Sequence, residues 1–264
     1  MSLRAWIPTA GWLFFLPADI DSRGVNSRGV AAPPDAAREI FGATLGVAQA
    51  YAALLAGPGL QRGLIGPGEA ERIWDRHLLN SAVIAELVPM PGRLADLGSG
   101  AGLPGIVLAM LLPEAEVILV EPMARRTMFL QECVTALELS NVQIRRGRAE
   151  DLAGQIDADV VIARAVAPLD RLAAMATGLA RPGGLVLAIK GVTAARELDR
   201  ALPILRRLGA TGIELVSAGT GRISQPATVI RFITGSPARQ ARAGQPGRGP
   251  RGPGGTNFRP GARR

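Results

Sequence analysis

Apolar positions along this chain follow two rhythms, and the change falls near residue 93. Upstream they recur every three or four positions: Ile40, Leu45, Val47, Tyr51, Leu54 and Leu55, then Ile73, Trp74, Leu78, Leu79, Val83, Ile84 and Leu87. That spacing gathers apolar side chains on one side of a helix and predicts helices over 35–56 and 69–88. Gly57-Pro58-Gly59 is expected to stop the first, 63–68 to form a loop, and Pro89 and Pro91 to end the second. Downstream, short unbroken apolar runs at 94–97, 117–120, 142–145, 160–163, 185–189, 213–216 and 228–233 predict seven strands. Longer blocks at 103–112, 125–137, 169–179 and 195–208 predict the helices between them, and Arg181-Pro182-Gly183-Gly184 predicts a turn. Strands that are apolar throughout belong to a sheet covered on both faces, hence mainly parallel. The chain divides into a helical cap, 34–92, and an α/β body, 93–235.

The two ends fall outside this pattern. Residues 1–33 carry prolines and a small duplication, Ser22-Arg23-Gly24-Val25 and Ser27-Arg28-Gly29-Val30, and are expected to be an irregular extension. Residues 236–264 are rich in Gly, Pro and Arg and are expected to be disordered. That tail explains the net charge of +8: it holds seven arginines and no acid, leaving 23 basic against 22 acidic residues elsewhere. The apolar stretch 6–17 is shorter than the roughly 20 residues of a membrane span and is broken by Pro8 and Pro17, so no membrane partner is expected. One cysteine, Cys133, excludes a disulfide framework and a cysteine-based zinc site, and one histidine, His77, argues against a histidine-ligated metal. A reducing cytoplasm suits this usage.

The chemistry gathers where the first strand ends. Asp96-Leu97-Gly98-Ser99-Gly100-Ala101-Gly102-Leu103 is a strand, a glycine turn and the start of a helix, the opening of a nucleotide-binding unit. Side chains at Gly98 or Gly100 would hold the backbone away from a ligand. Such turns serve NAD, FAD and S-adenosylmethionine. Asp96, two residues before the first glycine, favours S-adenosylmethionine, which carries an ammonium and a sulfonium and no pyrophosphate for a carboxylate to repel. Glu121 ends the second strand, where a carboxylate accepts hydrogen bonds from ribose hydroxyls.

Other candidates also sit at strand ends. Arg148-Ala149-Glu150-Asp151 follows the third strand and offers an acid to an adenine amino group, or a helix N-terminus favoured by its dipole. Arg164 ends the fourth strand and suits a ligand carboxylate or a substrate phosphate. Lys190, the only lysine, ends the fifth and is a candidate phosphate contact. His77 has no acid–base or metal partner at a telling spacing and is read as structural. Cys133 lies within a helix and is read as a core thiol, against cysteine-nucleophile methylation of a pyrimidine.

Taken together, Arg76-His77-Leu78-Leu79-Asn80-Ser81, 96–105 with its Gly-Leu-Pro-Gly ending, Arg148-Ala149-Glu150-Asp151, Ala163-Arg164-Ala165-Val166-Ala167-Pro168-Leu169 and Lys190-Gly191 resemble the bacterial small-subunit ribosomal RNA guanine-N7 methyltransferases. The resemblance spans about 36–234 and looks like the actinobacterial variant. It implies a class I S-adenosylmethionine-dependent fold, Rossmann-like with a seven-stranded sheet, under an N-terminal helical cap. It implies methylation of N7 of a guanosine in the 530 loop of 16S rRNA. The implied cofactor contacts are Gly98, Leu103, Ala149, Glu150 and Arg164, beside Asp96, Gly100, Gly102 and Glu121 from the motif itself. No general base and no metal are expected, because guanine N7 has a lone pair and no proton. 16S rRNA or the small subunit is the expected partner, with the protein a monomer. Where many members carry Asn-Leu-Thr in the cap this chain has Arg62-Gly63-Leu64-Ile65-Gly66-Pro67, so no substrate role transfers there. Methylation of another RNA site, an NAD-dependent oxidoreductase and a non-enzymatic RNA-binding protein are the competing readings. The last leaves the glycine turn, Glu121 and Arg164 unexplained.

Overall fold

The computed structural model describes residues 30–89 and 92–235. Seven strands form one sheet in the order β3-β2-β1-β4-β5-β7-β6: β1 (Arg93–Leu97), β2 (Glu116–Glu121), β3 (Val142–Arg146), β4 (Ala158–Arg164), β5 (Ala180–Lys190), β6 (Thr211–Ala218) and β7 (Ala227–Ile233). The first five run parallel, and β7 is antiparallel to both β5 and β6. The chain leaves β1 toward β2 on one side and places β4 on the other. The crevice above the β1/β4 boundary is therefore the switch point where ligands bind in such sheets.

Strand alternation sorts the core into two layers. Leu94, Val117, Leu119, Val160, Ile162, Leu187 and Val229 face one way. They meet α1 (Asp35–Gly59), α2 (67–87), α3 (Gly105–Leu111) and α4 (Ala124–Ala136). Ala95, Ile118, Val161, Ala163, Val186, Ile230 and Phe232 face the other, against α5 (Leu169–Leu179) and α6 (Ala194–Arg207). The cap shares a continuous core with one face of the sheet, through Tyr51, Leu55, Ile73, Leu78 and Ile84. Each large apolar side chain buried this way contributes on the order of 2 kcal/mol.

Several local expectations are corrected. Gly57-Pro58-Gly59 does not break the helix: it widens into a π turn over Leu55–Gly59 and stays helical through residue 61, and its i→i+5 bonding accommodates the missing Pro58 N–H. The helix predicted from 103 starts at Gly105, since the tight turn through Gly102 (φ +99°) occupies the preceding residues. The turn predicted at 181–184 lies inside β5, which pairs with β4 at Ala158↔Ala180 and again from Val160↔Leu185, so the intervening residues form an irregularity in the ladder. The Arg148–Asp151 stretch is a series of turns, not a helix start. Residues 30–33, assigned to the irregular extension, pack on the cap: Val30 is buried and the Ala31 carbonyl accepts the Trp74 indole N–H at 2.8 Å. The rest of that extension and the arginine tail lie outside the described residues. By length and composition α1 reaches the threshold for a membrane span, with mean hydropathy 1.5. Its buried Ala37, Phe41, Ala48, Tyr51 and Leu55 belong to the core, which accounts for that apolarity.

Candidate functional site

The glycine turn hangs from β2. Gly98 and Ser99 both donate to the Val120 carbonyl, at 2.9 and 3.1 Å, and Gly102 donates to Ser99 at 2.7 Å. Glu121, nearly fully buried, ties this turn to the next one: one carboxylate oxygen accepts Gly100 N–H and the other accepts Met123 N–H, each at 3.0 Å. Arg126 approaches the first oxygen at 3.6 Å. Gly98 has φ +71°, and a Cβ there would stand 2.8 Å from Val166 Cγ2. Gly102 is closed in from the other side, its absent Cβ facing Ile106 and the Tyr51 hydroxyl. The Tyr51 hydroxyl donates to the Ala101 carbonyl at 2.8 Å, so the cap holds the turn from above. Burial pushes the Tyr51 pKa well up, keeping it a donor.

Asp96 is fully buried beneath the turn. Its Oδ2 accepts the Gly105 N–H at 3.1 Å at the start of α3, and its Oδ1 has no hydrogen-bond partner among the described residues. Burial raises its pKa to about 7, against the lowering pull of its hydrogen bonds and of Arg164.

Above the β1/β4 boundary lies a cleft of about 1030 Å³, lined by Gly98, Gly100, Leu103, Arg164 and Lys190 from the body and by Glu69, Arg76 and His77 from the cap. Ala149 and Glu150 line a second cavity of about 690 Å³, and Val166 and Ala167 border both. Of the residues predicted from sequence, five therefore meet in one cleft and two in its neighbour. Asp96, Gly102 and Glu121 are buried around the turn that floors the cleft.

Arg164 reaches from the end of β4 into the cap. Its Nη2 lies 2.5 Å from His77 Nδ1, and its Nη1 is 3.3 Å from Ser81 Oγ and 3.4 Å from the Arg76 carbonyl. His77 Nε2 is 2.6 Å from Glu69 Oε2, a contact too bent for an aligned hydrogen bond. Burial lowers the His77 pKa to about 4, reinforced by Arg164 and opposed by Glu69. Lys190 donates to the Ala167 carbonyl at 2.8 Å and pairs with Glu197 at 2.9 Å, and its side chain is only 7% exposed. Lys190, the candidate phosphate contact, thus lines the cleft as a buried cation paired with a carboxylate. Cys133 is buried and its thiol is pushed up to about 12, which fits a core residue. Among the described residues no cluster of potential metal ligands occurs.

Sequence reasoning missed Tyr51, Glu69 and Ser81 as parts of the site and took His77 as structural alone. Helical periodicity explains Tyr51 fully as a core position. The remaining signal was the run Arg76-His77-Leu78-Leu79-Asn80-Ser81, too polar for a purely apolar helix face.

A profile of the family described as rRNA small subunit methyltransferase G matches residues 45–214. The ribosomal RNA small subunit methyltransferase G of Thermobifida fusca is 49% identical over 227 residues, covering 86% of this chain and 96% of that protein. The protein of the same name from Mycolicibacterium gilvum is 48% identical, covering 81% and 95%. Among solved structures, a SAM-dependent O-methyltransferase of Thermotoga maritima is 18% identical with a TM-score of 0.48, covering 59% and 64%. On the extent and level of the sequence match, this chain belongs to the rRNA small subunit methyltransferase G family.

Proposed function

We propose that this methyltransferase transfers a methyl group from S-adenosylmethionine to N7 of a guanosine in the 530 loop of 16S rRNA, acting as a monomer in the cytoplasm. The observation that carries the reading is the convergence of the glycine turn, Glu121 and Arg164 at the sheet's switch point in a chain of this family. The residues fit the methyl donor. Carboxylates at Asp96 and Glu121 surround a turn that would meet a cationic ligand, and Asp96 Oδ1 is buried without a hydrogen-bond partner among the described residues. Arg164 is cationic and, among the described residues, has only neutral acceptors within hydrogen-bond reach.

When bound, the donor supplies an activated methyl on a sulfonium centre. Arg164 would hold its carboxylate, Glu121 would serve its ribose through the turn it braces, and Ala149 and Glu150 would border its adenine. The half-exposed Arg76 and Arg126 on the cleft wall meet RNA phosphates. Guanine N7 presents an in-plane lone pair and has no proton to lose, so no general base is required. The protein's contribution is then orientation of N7 against the methyl carbon in a shaped cleft. The target base must be presented from its loop or flipped out of it. The cap (34–92) and body (93–235) work as one unit, since both wall the cleft.

A methyl-transfer assay tests this. Labelled S-adenosylmethionine is mixed with small subunits from cells lacking the modification, and the RNA is digested to nucleosides. Label in 7-methylguanosine at one 530-loop position, lost with Arg164→Ala, is the expected result. Label in another nucleoside would overturn the N7 assignment. Absence of transfer to both subunits and naked RNA would overturn the substrate.

A further inference from the structure

His77 is a buried titratable group in the cleft wall that the proposed reaction leaves unused. Its partners define its state. Arginine has donors only and stays protonated, so in the 2.5 Å contact with Arg164 Nη2 the acceptor must be His77 Nδ1. A neutral ring with Nδ1 as acceptor carries its proton on Nε2, and Nε2 is the atom that meets the Glu69 carboxylate at 2.6 Å. The other Glu69 oxygen lies 3.4 Å from Arg76 Nη1, so the carboxylate is itself anchored.

The consequence is for the guanidinium. Ser81 and the Arg76 carbonyl hold Nη1 at 3.3 and 3.4 Å, the long end of hydrogen bonding, and leave the plane free to turn. The His77 contact on Nη2 fixes that turn. With Nη1 and one Nη2 proton directed to the cap, Nε–H and the second Nη2 proton have no hydrogen-bond partner among the described residues. That edge of a guanidinium donates two parallel hydrogen bonds to a carboxylate.

We infer that His77, a neutral Nε2–H tautomer whose proton faces Glu69, is a positioning residue that holds Arg164 with its Nε–Nη2 edge turned to the carboxylate of the methyl donor. The inference rests on the reading of Arg164 given above. It joins the cap to cofactor binding through a chain of Glu69, His77 and Arg164 drawn from two helical turns and one strand end.

The test is calorimetric titration of S-adenosylhomocysteine into the full chain, without RNA. Arg164→Gln is expected to weaken binding about thirtyfold, and His77→Leu about tenfold. The double variant should bind no more weakly than Arg164→Gln alone, because a positioning residue has nothing left to position. His77→Asn keeps an acceptor near the place of Nδ1 and should stay within about threefold of the parent. His77→Gln carries its amide past that place toward Glu69 and should bind like His77→Leu. The Asn and Gln variants are alike in polarity and size, so their contrast decides the matter if His77→Leu does not fold. Equal binding by His77→Asn and His77→Gln would overturn the inference, as would additive losses in the double variant. Unchanged binding by Arg164→Gln would instead remove the reading of Arg164 on which the inference stands.

Discussion

Arg164 and Lys190 end neighbouring strands, line the same cleft and carry the same charge, yet their surroundings leave them with opposite capacities. Arg164 is met by a histidine nitrogen, a hydroxyl and a backbone carbonyl, all neutral. Lys190 is met by a carbonyl and by the Glu197 carboxylate. A buried cation with neutral partners keeps its field for an incoming anion, while one paired with a carboxylate is already neutralised. The guanidinium points to a ligand. The ammonium fastens the 165–168 loop to α6. Position at a strand end gives access to the cleft, and the partners decide what that access is used for.

The largest effect should come from breaking this contrast at its functional end. Arg164→Gln removes the charge and is expected to lower kcat/KM for methyl transfer by about a hundredfold, roughly 3 kcal/mol of transition-state stabilisation. Lys190→Gln should stay within about threefold in kcat/KM. Its cost should appear in stability, on the order of 1 kcal/mol or a melting shift of about 2–4 °C, because Glu197 is left without its cation yet retains some access to water. Comparable losses of kcat/KM in both variants would erase the distinction.

Exchanging the two cations separates charge from shape and should have the next largest effect. Arg164→Lys keeps the charge but loses the planar fork. It should lower kcat/KM about tenfold, between the parent and Arg164→Gln. Lys190→Arg must fit a larger head against Ala167 and Glu197 and should register mainly as a lower melting temperature, about 2–4 °C, with little change in rate. If Arg164→Lys matched the parent in steady-state assays, charge alone would account for the site.

The surroundings of Arg164 also titrate. His77, with a folded pKa near 4 against 6.5 for an unperturbed histidine, binds fewer protons folded than unfolded between those values. By itself it makes stability rise with pH over that window and fall again as pH drops toward 4. Asp96, raised from 3.8 to about 7, binds more protons folded than unfolded, and by itself makes stability fall as pH rises over nearly the same range. The two slopes oppose each other, so the parent should show a shallow profile between about pH 4 and 6.5. Asp96→Asn should uncover the rising slope and His77→Asn the falling one, each up to about 1 kcal/mol per pH unit. Denaturation midpoints at several pH values would show this, and parallel profiles in the two variants would contradict it.

These comparisons also mark what was legible in the sequence. The strands were, because an apolar run such as 160–163 must be buried on both faces. The glycine turn was, because Gly98 is required locally by its φ of +71° and by the nearness of Val166. Arg164 and Lys190 were legible as strand-end cations, but their difference was not. It depends on Glu197, on Ser81 and on a histidine 87 residues from the arginine it meets. Tyr51 was hidden in the same way, since its bond to Ala101 spans 50 residues. Helix ends were misread where the backbone changed its own pattern, as in the π turn through Pro58.

The smallest expected effect lies between the two cations. Ala165, directly after Arg164, has φ +54°, a left-handed conformation that costs a non-glycine residue about 1–2 kcal/mol. Its side chain is exposed, so Ala165→Gly forfeits no packing. Glycine relieves the strain but adds freedom to the unfolded chain, which costs about 0.4–1 kcal/mol. The difference favours glycine by about 0.5 kcal/mol, a rise in melting temperature of about 1–2 °C. Unlike the substitutions at Arg164 and Lys190, this one changes no charge, so it isolates the backbone's part in aiming the guanidinium. If His77 holds that side chain, S-adenosylhomocysteine affinity should be unchanged while stability rises slightly. A loss of affinity without loss of stability would mean that the bend at Ala165, rather than the cap, keeps Arg164 in place.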